Sequence, residues 1–324
     1  VAAGRAAFGR AGVDAEGLTM LRFVVRRLWQ TVIVLFIVSV VVFFMVRLNG
    51  DPLSVMAQGD YSPDQIESLR KAWGLDRPLY EQYIVFLTSA ARGDFGVSPR
   101  YRRTAMEMVI ERLPWTYLLA GLSAVIALAI AIPLGVLSAT HRNSALDLLS
   151  TSFATIGAAM PNFWVGIMLI LLFSVTFRWL PAFGAESWKA FIMPSLTLGA
   201  AIAARLARLT RSAMLETLGM DFIRTARAKG LDTGRVTYRH ALRNALIPVI
   251  TAFGLQLGWL LGGAVVVEQV FAWPGLGRLM IEAIGARDIT IIQAGVFWFA
   301  LSFLFINLTV DVSYTIVDPR IRYD

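Results

Sequence analysis

The sequence predicts an all-α integral membrane protein with six transmembrane helices and a long external segment between the first two. Three observations carry this. Of the 324 residues, 57% are hydrophobic and 16% charged, whereas a soluble domain is nearer half apolar and a quarter charged. The apolar excess lies in long uncharged runs, several of them near the roughly 20 residues a helix needs to cross a hydrocarbon core about 30 Å thick. The basic residues, 27 arginines and 3 lysines in a chain of net charge +8, lie between those runs. Arginines placed there set topology and make a poor nucleic-acid surface. Membrane lipid is therefore an expected partner and nucleic acid is not.

Taken in order, residues 1–19 are rich in Ala, Gly and Arg and read as a flexible extension or an upstream start assignment, without the apolar core or cleavage site of a signal peptide. Met20 opens a basic lead into span one, Leu28–Val46. The stretch from Asn49 to Leu113 is too long for a simple connection. It contains Ser62-Pro63-Asp64-Gln65, in which Ser62 and Gln65 form a capping box and Pro63 fits a first turn. Two readings of this segment stand: a cap over the outer mouth, or a docking surface for an external partner.

Spans two and three are Trp115–Thr140 and Leu148–Phe177. The third is longer than a perpendicular crossing needs, and Pro161 predicts a tilt or kink there, as Pro133 and Pro248 do in spans two and five. Span four is short: Ala190–Ala204 is uncharged and then meets Arg205, Arg208 and Arg211. Read as a span starting near Phe191, it places Arg205 at the inner end, where a long stem carries the guanidinium to the headgroups. Spans five and six are Asn244–Val267 and Ile289–Val310. With both termini cytoplasmic, nine basic residues fall in the internal loop Arg205–Arg243, against two in each short external loop. That asymmetry is the positive-inside pattern.

The absence of cysteine and the presence of only two histidines exclude disulfides and thiolate chemistry and argue against a multi-histidine metal site. No catalytic, cofactor-binding or metal-ligating residues are expected. The three lysines follow Arg70, Trp188 and Ala228, so the Gly-Lys of a phosphate-binding loop is missing. Energy for any work on a solute must therefore come from elsewhere.

The internal loop holds Asp221-Phe222-Ile223-Arg224-Thr225-Ala226-Arg227-Ala228-Lys229-Gly230-Leu231. Asp221 is expected to act as N-cap and Gly230 as the left-handed C′ residue of a helix of about eight residues. Thr233 starts the next helix, which runs through Arg243 into span five. A helix so short needs a surface to lie against, and two are available: anionic headgroups, or a soluble partner that holds it as a lever.

This run, with Arg239-His240-Ala241-Leu242-Arg243-Asn244-Ala245-Leu246-Ile247-Pro248 behind it, resembles the cytoplasmic coupling loop of binding-protein-dependent ABC importer permeases. The likeness is to the first permease subunit of the dipeptide/oligopeptide family. It continues in Gly74–Tyr80, Gly93–Gly96, Gly254–Gly258, Glu268–Gly277 and Asp318–Tyr323. The sequence departs from the general importer loop, because Arg224 stands at its Glu position, so no carboxylate pairing is assigned there.

The resemblance implies a type I ABC importer permease fold. Its parts are the first helix plus periplasmic segment over 20–112 and a five-helix core over 113–324, with the coupling loop at about 214–243. It also implies that the protein lies in the bacterial inner membrane and moves peptides or a related small solute. The implied partners are a homologous second permease, two cytoplasmic ATPase subunits or domains and a periplasmic solute-binding protein.

Gly254, Gly258 and Gly262 form a four-residue repeat suited to close helix packing. Gln256, Gln293, Asn307 and Asp311 are candidates to line a pathway, and Asp311 equally to pair with an internal arginine. An ion-coupled secondary transporter would want more buried acids than Asp311. A non-transport membrane scaffold is the third reading.

Overall fold

The computed structural model describes residues 25–45, 62–72 and 74–317. The extension at 1–19, the Met20 lead and the terminal Asp318–Tyr323 motif lie outside the described residues. Eleven α-helices are described: α1 Val25–Met45, α2 Pro63–Ala72, α3 Leu79–Ala91, α4 Ala105–Thr140, α5 Ala145–Ala159, α6 Asn162–Leu169, α7 Ile192–Leu218, α8 Asp221–Ala228, α9 Leu242–Val270, α10 Leu276–Gly285 and α11 Ile289–Val317. Among the described residues the β-structure is one isolated antiparallel bridge, Val97 to Thr104. Among the described residues five helices are long and apolar enough to cross a membrane, and the bent pair of α5 with Asn162–Thr176 makes a sixth if it is counted as one span.

The bend is 109°, and its cause is local. Proline drives the residue before it out of the helical region; Met160 is extended, with ψ 131°, and ends α5, while Pro161 precedes α6. The last part of this span, Ile170–Thr176, is a π-helix. Pro133 and Pro248, by contrast, sit inside the unbroken helices α4 and α9, since neighbouring helices can resatisfy what a proline frees.

The chain forms two compact units, Val1–Gly96 with Gln293–Asp324, and Val97–Ile292. In the first, the capping box forms as the sequence predicts: the Ser62 N–H donates to Gln65 Oε1 at 2.8 Å, and the Gln65 N–H to Ser62 Oγ at 3.3 Å. Within the external segment α3 packs against α1. Tyr83 meets Ser39 at 2.8 Å, and its ring lies 5.3 Å from Phe43, which also contacts Phe86.

The second unit is built around α7, which packs against α4, α5, α6 and α9. Two-thirds of its apolar window is buried. Leu119, Met193, Leu198, Leu206, Val249, Leu260 and Phe271 form the core. The α4–α7 crossing is close enough that a Cβ on Gly135 would stand 2.4 Å from the Thr210 Cβ, so a side chain there would push the helices apart.

At the N-terminal end of α4, Trp273 is fully buried and its Nε1–H donates to the Trp115 carbonyl at 3.0 Å. Beside it, Glu268 has no exposed surface. Thr116 Oγ1 donates to Glu268 Oε1 at 2.6 Å and accepts from the Leu276 N–H at 2.8 Å, while the Arg278 N–H donates to Glu268 Oε2 at 3.0 Å. One carboxylate thus caps α10 and ties it to α4. A Cβ on Gly275 would fall 2.2 Å from the Glu268 carboxyl. The Glu-Gln-Val-Phe-Ala-Trp-Pro-Gly-Leu-Gly run is therefore an architectural clamp.

Candidate coupling site and polar face of the spans

α7 ends at Leu218, and Gly219 and Met220 turn the chain into α8. The N-cap position belongs to Met220, with extended backbone and no side-chain cap, and Asp221 is the first helical residue. This corrects the capping role expected of Asp221. The two-residue turn leaves Met220 as the residue whose carbonyl receives the Ile223 and Arg224 N–H groups, at 3.1 and 3.4 Å. Asp221 still faces the positive end of the helix dipole favourably.

At the other end Gly230 has φ +75°. Its N–H donates to the Arg227 carbonyl at 2.9 Å, and the Leu231 N–H reaches the Ala226 carbonyl at 3.4 Å. This pair of bonds is the Schellman pattern. Asp232 Oδ1 then accepts from the Arg235 N–H at 2.9 Å and caps the following helix, which opens with Thr233 and Gly234 and is π-helical over Arg235–Ala241 before α9 begins.

Ile223 and Ala226 are buried in a cluster with Val136, Met214, Val236 and Ala245, and Leu231 packs against it. Burying an isoleucine contributes about 1.5–3 kcal/mol, enough to dock α8 on the ends of the spans. The opposite face presents Phe222, Arg224, Thr225, Arg227, Ala228 and Lys229, all exposed. The Arg224–Asp221 pair is 3.5 Å long and almost fully solvated, so it contributes little.

Arg211 of α7 forms a two-point ion pair with Asp147 at 2.7 and 2.8 Å. Asp147 also accepts from Ser138 Oγ at 2.5 Å and from the Asn143 N–H at 3.0 Å. This latch joins α4, α5 and α7 just above α8. Arg205 Nε donates to Gln256 Oε1 at 2.7 Å, so Arg205 does not mark the end of its helix. α7 continues for thirteen residues beyond it, because the helix stays anchored by the buried face of its inner half.

Gly254 and Gly258 are buried in α9, whereas Gly262 is exposed with nothing within 4 Å. A four-residue step turns about 40° past a full helical turn, so the third glycine rotates away from the contact. Gln293 is half-buried in α11. Asn307 and Asp311 line a cavity of about 330 Å³ with Arg27, Gln30 and Thr31. Asp311 pairs with Arg27 at 3.0 Å.

Sequence reasoning missed the Asp147–Arg211 latch, the Arg205–Gln256 bond and the Glu268 clamp. The available signals were single carboxylates at the edges of apolar runs and arginines three residues apart inside one.

An all-helical chain with five to six spans and a short docked internal helix fits one class. Residues 131–323 match the family described as binding-protein-dependent transport system inner membrane component, and residues 20–120 match its membrane-component N-terminal part. The chain belongs to this family and is a permease subunit of an ABC importer, a multi-pass inner-membrane protein. The glutathione transport system permease protein GsiC of Escherichia coli (strain K12) is 46% identical over 305 residues, which covers 94% of this chain and 100% of that relative. GsiC of Shigella dysenteriae serotype 1 (strain Sd197) matches to the same extent. Among solved structures, the inward-facing MetNI methionine ABC transporter in its CY5 SeMet soak crystal form gives a TM-score of 0.56 at 19% identity, covering 66% of this chain and 97% of that one. Its CY5 native form gives 0.54. This likeness is one of fold.

Proposed function

We propose that this chain forms half of an ATP-driven pathway for glutathione or a related short peptide. It acts beside a second permease, two cytoplasmic ATPase subunits or domains and a periplasmic solute-binding protein. Both termini lie in the cytoplasm, and ATP and Mg are used by the ATPase partners. The solute rests on the identity to the glutathione permeases. The coupling role rests on one observation: α8 is fixed to the spans by one apolar face and exposes a cationic second face. Such an element can transmit a push on its outer face to α7 and α9, between which it is strung.

Purification with accompanying subunits, followed by reconstitution in vesicles, tests this. An ATPase and a sister permease should co-purify, and glutathione should enter only with ATP and a binding protein. Uptake by this chain alone, driven by an ion gradient, would make it a secondary transporter, and stable assembly without any uptake would make it a scaffold.

A further inference from the structure

Among the residues of α7, four are exposed: Arg205, Arg208, Ser212 and Glu216. Every one is polar. They recur at three- and four-residue steps and so share one stripe of the helix. A stripe that faced hydrocarbon would be apolar, since a bare charge inside a bilayer is costly and ionisable side chains there face water, protein or a partner.

Depth makes the point sharper for Arg205. Its partner Gln256 lies near the middle of the uncharged stretch Asn244–Val267, about 17 Å by helical rise from either end. The Arg205–Gln256 bond therefore holds a guanidinium well inside the apolar layer. Gln256 uses its carbonyl oxygen on Nε, which leaves the two terminal nitrogens of Arg205 as donors for another group. Arg208 stands one turn away, and among the described residues neither arginine forms an ion pair.

We infer that Arg205, oriented by Gln256 and supported by Arg208, forms a way-station in the translocation path that binds a carboxylate of the passing solute; this rests on the transport reading above. The terminal guanidinium nitrogens match a carboxylate as a two-point donor, and glutathione-like peptides carry such groups. A second source of the same chemistry is an acidic side chain of the partner permease, and the experiment separates the two.

The chain has no cysteine, so R205C provides its only thiol. In the assembled transporter, purified with its accompanying subunits, that thiol should react with an anionic, membrane-impermeant thiosulfonate. Labelling of the lone chain but not of the assembly would place Arg205 against the partner permease, and no labelling of either would place it in lipid; both results overturn the proposal. In a parallel arm, ATP-driven glutathione uptake should fall about tenfold in R205Q, the scale expected when one charge-assisted hydrogen bond to the solute is removed. R205K should recover part of it, and hydrolysis stimulated by the binding protein should persist in both. Wild-type uptake by R205Q would also overturn the proposal. If the wild-type assembly moves no glutathione, the solute reading fails with the carboxylate arm, while thiol labelling still decides whether Arg205 faces water.

Discussion

At residue scale, two positions decide whether local geometry survives. Gly230 sits at φ +75°, where any other L-residue pays about 1–2 kcal/mol. Gly230→Leu should fray the end of α8 and lower solute uptake while ATP hydrolysis by the assembled transporter continues. Equal uptake per ATP in mutant and wild type would show that the helix end is not needed. Glu268 is fully buried and satisfies Thr116 and the Arg278 N–H. Glu268→Ala leaves these groups without an acceptor, at about 1–3 kcal/mol each. A clear drop in the melting temperature in detergent is expected, with Glu268→Gln losing less. Asp221→Ala, by contrast, removes a solvated pair worth at most about 1 kcal/mol, and the melting temperature should barely move.

At element scale, the Asp147–Arg211 latch fixes the entry of α5 to α7. Its carboxylate is 7% exposed, and removing either partner leaves the other without its opposite charge. Asp147→Ala and Arg211→Ala should each destabilise strongly, and the double variant should lose far less than their sum. Additive losses would mean that the two groups do not act together.

The elements also show what the sequence could say. Apolar runs located each span, Ser62 and Gln65 located a helix start, and Gly230 located a helix end, because each depends on neighbours in the chain. The 109° bend was legible at Pro161 as a kink but not in size, since the angle depends on what α6 packs against. Asp221 was misplaced by one position because the N-cap was set by the turn from α7. The depth of Arg205 was hidden for a stronger reason. Its fixing partner, Gln256, lies 51 residues away, and no local pattern reports such a pairing.

At the scale of the whole molecule, the second unit carries a continuous mechanical line. The Glu268 clamp closes one end, the tightly crossed α4 and α7 run through it, and the latch and α8 lie toward the other end. A push on α8 would be delivered through Ile223 and Ala226 into packed helices that have little freedom to absorb it. The exposed face with Phe222, Arg224 and Arg227 is the surface on which the proposed ATPase partner would act. Reading a thiol at position 227 tests this most directly, using R227C in the cysteine-free chain within intact cells and in the purified assembly. The thiol should resist an impermeant reagent from outside, react once the membrane is opened, and be shielded when the ATPase is bound. Reaction from outside sealed cells would contradict the account at its root.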